Sequence, residues 1–200
     1  MCSGVGLAMI GGCSRGSSRV NPPRLNPSRS ATEALKLYDS DGDGEISPTE
    51  ANASPGLTEA FVRIDTDSNG RLAESEIESR IRAWRRGGLG ITLQPFYVFL
   101  DGRPLKGGRV ELIPDTFIAR GLRGADGEIS ANGLCSPSLS ETDLPPGVKA
   151  GIYHGFYTIK VTHPKAVVPA SYDGESTLGI EVRPDYDFFN PLKFDLKSTR

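Results

Sequence analysis

Two twelve-residue stretches, 39–50 and 65–76, constrain this chain more than any other feature of it. The first reads Asp39-Ser40-Asp41-Gly42-Asp43-Gly44-Glu45-Ile46-Ser47-Pro48-Thr49-Glu50, and the second Asp65-Thr66-Asp67-Ser68-Asn69-Gly70-Arg71-Leu72-Ala73-Glu74-Ser75-Glu76. Each carries oxygen-bearing side chains at positions 1, 3 and 5, glycine at 6, an aliphatic residue at 8 and glutamate at 12. Folding so much like charge into one turn is costly unless a cation neutralises it. Between residues 31 and 86 acids outnumber bases twelve to seven, although the whole chain has a net charge of only −2. The negative charge is therefore concentrated around the two stretches, and the remainder is slightly basic.

Calcium is a hard cation that takes six to eight oxygens, and the pattern supplies them in order. In the first stretch Asp39, Asp41 and Asp43 offer carboxylates, Glu45 its backbone carbonyl, Ser47 a hydroxyl or a bridging water, and Glu50 both carboxylate oxygens. In the second the same positions are held by Asp65, Asp67, Asn69, the carbonyl of Arg71, and Glu76. Gly44 and Gly70 permit the sharp bend at position 6. Both stretches resemble EF-hand loops, which implies two bound Ca2+ ions. Asn69 replaces a carboxylate with an amide and Ala73 leaves position 9 to water, so the second site is expected to be the weaker. A dockerin is the related alternative, although dockerins lack the entering helix and close the loop with aspartate, whereas Glu50 and Glu76 close these.

The flanks predict short helices: 31–38 with Ser30 or Thr32 as cap, an exiting turn from Pro48, 57–64 after a break at Pro55-Gly56, and 75–86. The loops begin 26 residues apart, so only fourteen residues join them. Such compact pairs resemble those fused to other domains in exported bacterial proteins. Arg80, Arg82, Arg85 and Arg86 are expected to favour the end of the helix dipole, with Trp84 covering the groove between helices.

From Ile91 the apolar period becomes two. Strands are expected at 95–100, 108–113, 156–162, 177–182 and 192–196, with a weak one at 128–130. The 24 glycines and 15 prolines fit a loop-rich β domain. The phrases Leu100-Asp101-Gly102-Arg103-Pro104-Leu105, Gly155-Phe156-Tyr157-Thr158-Ile159-Lys160-Val161 and Pro169-Ala170-Ser171-Tyr172 followed by Thr177-Leu178 resemble carboxypeptidase-regulatory-like (transthyretin-like) domains. The resemblance implies an antiparallel β-sandwich over 91–197, in which 96–100 and 108–113 form an opening hairpin, serving as a non-catalytic spacer or adhesion module. The expected fold class is thus α+β in two domains: a small helical EF-hand pair over 31–86, then the sandwich.

Ile10-Gly11-Gly12-Cys13 resembles a bacterial lipobox, which implies lipidation of Cys13, a leader over 1–13, a Ser/Pro-rich linker over 14–30, and export to the cell envelope. No apolar run has the length of a membrane span, so the membrane is expected only through that anchor. No basic cluster marks a nucleic-acid footprint. His154 and His163 read as lone surface histidines and Cys135 as a lone, partly buried thiol, so an enzyme is not expected. Three functions follow: a calcium-stabilised scaffold or adhesion element, a calcium-dependent sensor or docking module for an envelope protein or polysaccharide, and a cryptic hydrolase using residues 115–150. The absence of Met beyond Met1 and Met9 weighs against an adaptable sensor groove.

Overall fold

The computed structural model describes residues 25–84, 90–118 and 122–198, so Cys13, Arg85 and Arg86 lie outside the described residues. Four helices pack with several sheets, most of their strand pairs antiparallel. No helix among the described residues is long and apolar enough to cross a membrane.

Helix α1 runs Pro27–Tyr38, about one turn longer than the expected 31–38. Its cap is Asn26, whose side chain accepts from the Arg29 N–H at 3.2 Å, and Pro27 follows where a missing N–H costs nothing. Ser30, expected as a cap, instead lies inside the helix, buried, and donates its hydroxyl to the Ile118 carbonyl at 2.5 Å. Helix α2 is a single turn, Pro48–Ala51. Helix α3 covers Pro55–Ile64, so Pro55-Gly56 opens the helix rather than breaking the chain. Ser54 caps it by accepting from the Leu57 N–H. Helix α4 covers Glu74–Trp84 and turns Ile77, Ile81 and Trp84 inward.

Two short strands, β1 (Glu45–Ile46) and β2 (Leu72–Ala73), pair antiparallel between the acidic loops. Beyond α4 come β3 (Ile91–Thr92), β4 (Phe96–Leu100), β5 (Arg103–Pro104), β6 (Arg109–Pro114), β7 (Ala125–Glu128), β8 (Leu134–Cys135), β9 (Ile152–Tyr153), β10 (Gly155–Thr162), β11 (Gly179–Val182) and β12 (Leu192–Leu196). One sheet runs β11-β10-β6-β7; a second runs β12-β4-β5, with β8 also on β4; β3 and β9 form a small pair.

Two strand partners differ from the sequence reading. The strand after the Asp101-Gly102 turn that returns beside β4 is only β5, while β6 joins β10 in the other sheet. Gly107 and Gly108 make this crossing, with φ of +87° and +90°; a Cβ on Gly108 would stand 2.5 Å from the Thr162 carbonyl oxygen. Only glycine passes so close to β10 in that conformation. Second, β12 pairs with β4 in parallel, where the resemblance implies antiparallel strands throughout. The Tyr186 hydroxyl donates to the Pro95 carbonyl and accepts from the Leu192 N–H, which ties the incoming crossover to the start of β4 and so fixes the strand direction. Within residues 115–150, β7 joins one sheet and β8 the other.

The apolar side chains of helices and strands form one continuous core. α3 lies directly on β10 and β11, where glycines let backbones touch: a Cβ on Gly56 would stand 2.6 Å from Tyr157 N, and one on Gly179 would overlap the Pro55 carbonyl. Trp84 meets Phe156 edge-on at 4.8 Å. Its indole N–H donates to the buried Glu181 of β11 at 2.8 Å. Glu181 also accepts from Arg80 Nε at 2.5 Å, Arg80 Nη2 at 2.9 Å and Arg63 Nε at 3.0 Å. Arg80, expected to act on the helix dipole, is thus committed to a buried carboxylate on the sheet.

Candidate metal centre

Each acidic loop is held at both ends by its own helices. The N–H of Asp39 closes α1 onto Leu35 O, and that of Asp65 closes α3 onto Phe61 O, both at 2.9 Å, so position 1 of each loop is also a helix end. Position 6 then bends, with φ of +88° at Gly44 and +79° at Gly70. Position 4 is left-handed too, at +75° for Gly42 and +61° for Ser68.

The two loops repeat one hydrogen-bond scheme. The position-1 carboxylate accepts from the position-6 N–H: Asp39 from Gly44 at 3.0 Å, Asp65 from Gly70 at 2.9 Å. Position 3 accepts from the N–H of position 5, as Asp41 does from Asp43 and Asp67 from Asn69. Position 5 accepts from the N–H of position 7, as Asp43 does from Glu45 and Asn69 from Arg71. The closing glutamate reaches back to positions 2 and 3. Glu50 Oε1 accepts from the Ser40 N–H at 2.7 Å and Asp41 at 3.3 Å; Glu76 Oε1 accepts from Thr66 and Asp67 at the same two distances. Its other oxygen accepts from the position-9 N–H, Ser47 at 2.8 Å and Ala73 at 3.0 Å. β1 and β2 then set position 8 against position 8, with Ile46 opposite Leu72 and both fully buried. The loops are thus related by a local two-fold arrangement.

Side-chain oxygens of Asp39, Asp41 and Asp43 lie within 4.8 Å of one another, and so do those of Asp65, Asp67 and Glu76. Converging carboxylates of this kind are the donor set a hard divalent cation takes, with no sulfur or imidazole among them. The residues present therefore fit a hard divalent cation. The Glu45 side chain takes no part in the first trio and lies 3.9 Å from Arg71 Nε. The Ser47 hydroxyl donates to Glu50 at 2.8 Å and caps α2.

Electrostatics distinguish the loops. The Ser47 backbone N–H, then its hydroxyl and the same two groups of Ser40, hold the Glu50 carboxyl down at about 2. Burial pushes Glu76 upward, but the N–H groups of Ala73 and Thr66 outweigh it and its carboxyl also sits below the usual range. Arg71, at position 7 of the second loop, donates its guanidinium to Asp43 at position 5 of the first. Its carbonyl is the expected ligand, while its side chain already supplies a positive charge to the neighbouring site. The sequence pattern assigned the side chain no role.

The remaining chemistry-bearing groups stand apart. His154 is buried, not a surface residue; its Nδ1–H donates to the Trp84 carbonyl at 3.2 Å, and burial lowers its pKa. His163 takes the N–H groups of Lys165 and Ala166 on Nδ1 and donates from Nε2 to the Lys106 carbonyl. Cys135 is fully buried rather than partly so, and burial followed by the nearby Asp126 pushes its thiol up to about 12. No protein-family model matches the chain, and no curated protein matches it significantly.

Proposed function

We propose that this chain binds two calcium ions, one in each acidic loop, and that the ions are standing structural parts of an exported, non-catalytic scaffold or adhesion protein. Asp39, Asp41, Asp43, the Glu45 carbonyl, Ser47 and Glu50 would hold the first ion. Asp65, Asp67, Asn69, the Arg71 carbonyl and Glu76 would hold the second. The observation that carries this reading is the recurrence in both loops of the same bonds from positions 1, 3, 5 and 12, joined at Ile46 and Leu72. One acidic turn could arise for other reasons; two similar ones joined by a strand pair support the EF-hand reading.

The structural role is favoured over a sensor by what already covers the helices. A switching pair exposes an apolar groove when calcium arrives. Here α3 and α4 rest on β10 and β11, through Gly56, Gly179 and the Glu181 cluster. The sheet occupies the face that a target would take. In this reading residues 31–86 are an EF-hand module and residues 91–197 a transthyretin-like sandwich, docked as one folding unit. Export and lipid attachment rest on the motif ending at Cys13, and an envelope protein or polysaccharide is the partner class that such an anchor suggests.

The test is calorimetric titration of the full chain with calcium and with magnesium, alongside Asp39→Ala and Asp65→Ala. Two sites are expected, the weaker abolished by Asp65→Ala. Extracellular sites of this type bind at roughly 10⁻⁴–10⁻³ M, and ligand at about a hundredfold excess over Kd adds about 2.7 kcal/mol per site. Melting temperature should therefore fall sharply in chelator, with little gain in hydrophobic-dye binding at temperatures where the chain stays folded. Absence of both heat and thermal protection at millimolar calcium sinks the proposal.

A further inference from the structure

We infer that the chain forms a two-fold dimer through the free edge of β12, which pairs antiparallel with β12 of a second copy about an axis at Phe194. This is independent of metal binding.

β12 is the outer strand of its sheet. In its parallel ladder with β4, the Leu196 carbonyl accepts from the Asp101 N–H at 2.9 Å. Leu196 and every second residue before it therefore turn their backbone groups toward β4. Lys197 turns its N–H the other way, to the Tyr172 hydroxyl at 3.2 Å. By the same alternation the N–H and C=O groups of Lys193 and Asp195 point outward, and none has a backbone partner among the described residues. Such a row is a template for another strand unless something blocks it.

The residues on this edge read the same in both directions: Leu192-Lys193-Phe194-Asp195-Leu196 is a palindrome in polarity with opposite charges at its two outward positions. Pairing about Phe194 sets Lys193 against Asp195 of the partner subunit, and Asp195 against the partner's Lys193. Backbone parity agrees with charge. Lys193 and Asp195 become the hydrogen-bonded pairs of the new ladder, with four bonds in all, and Phe194 meets its own copy in the closer, non-hydrogen-bonded pair. Sliding by two residues would instead set lysine on lysine or aspartate on aspartate, so one register is selected. A contact in which each residue meets its complement on an identical surface is what a closed two-fold dimer requires.

Lys193 is exposed and makes no ion pair among the described residues, Asp195 is exposed and shares its carboxylate between Lys197 and the Gly102 N–H, and Phe194 is half-buried against Phe96 at 5.1 Å. Phe188 and Phe189, 54 % and 101 % exposed, lie on the segment leading into β12. A second copy in the inferred register continues past Pro191 toward that segment.

The test is sedimentation velocity and light scattering on the full, non-lipidated chain in calcium, from micromolar to millimolar concentration. Wild type should show a dimer that dissociates on dilution. Lys193→Asp and Asp195→Lys each turn two attractive cross-strand pairs into repulsive ones and should weaken association about tenfold. The double variant should regain the wild-type constant, and an equal mixture of the two single variants should form a heterodimer. Near-ultraviolet dichroism checks that each variant is folded. Should Asp195→Lys fail that check, Lys193→Asp alone decides, since it loses no bond within the monomer. A wild-type chain monomeric at millimolar concentration, singles that associate like wild type, or a folded double that stays monomeric each overturns the inference.

Discussion

Replacing Glu181 with glutamine keeps the shape of a fully buried side chain and removes its charge. The carboxylate takes four N–H donors, two from Arg80, one from Arg63 and one from Trp84. An amide keeps one accepting oxygen and turns an NH2 group toward donors that it repels. Arg63 retains Glu59 at 2.5 Å, but Arg80 is left with Asp185 at 3.9 Å. Removing one member of a buried pair costs about 3–5 kcal/mol. That is a large share of the roughly 5–15 kcal/mol that holds a typical domain folded. For a chain of this size, about 2–4 °C per kcal/mol gives a fall in Tm of about 6–20 °C. The assay is thermal and urea unfolding of wild type and Glu181→Gln, in calcium and in chelator. Because α4 carries Glu76 near one end and Arg80 and Trp84 toward the other, the variant should also weaken the second metal site more than the first. A Tm change under about 3 °C would refute the view that this carboxylate clamps helices to sheet.

Three further outcomes are expected. Arg71→Ala removes a competing cation from Asp43 and should tighten the first of the two proposed calcium sites, by up to about fivefold as befits an exposed pair; calorimetry reads it. Gly179→Ala drives a methyl into the Pro55 carbonyl and should destabilise by about 1–3 kcal/mol or more, measured by urea unfolding. Asp115 is half-buried and desolvation raises its carboxyl, with the Tyr38 and Ser54 hydroxyls donating to it. A carboxyl raised in the folded state holds its proton where the unfolded chain has lost it, so wild type should gain stability relative to Asp115→Asn as pH falls toward the ordinary aspartate range. A flat difference between the two unfolding curves across that range contradicts the assignment.

What the sequence reveals well is local. The ligation proposed here requires a fixed register within twelve residues, and each loop with its glycine bend lies in one such window. The alternation of Gly155 to Thr162 likewise marks β10 without outside help. Partnerships set at long range are hidden. Nothing near Arg109 announces that β6 crosses to β10, because the decision is made by the close pass of Gly108 against Thr162. The direction of β12 depends on Tyr186 reaching Pro95. Pro55-Gly56 looks like a break because proline and glycine stop helices in general; a serine cap and a backbone pressed on the helix start reverse that meaning here. A signal for Glu181 does exist in the sequence. It is a lone acid inside the apolar run Gly179-Ile180-Glu181-Val182, and such an acid needs a cationic partner, which the arginines at 63 and 80 supply.

Under the proposed function, the shared strand pair at Ile46 and Leu72 couples the two ions. Whichever arrives first orders a ladder that both cradles need, so its successor finds the work of alignment already done. Filling the first loop should accordingly raise the affinity of the weaker second one, so the second site should bind more weakly in Asp39→Ala than in wild type.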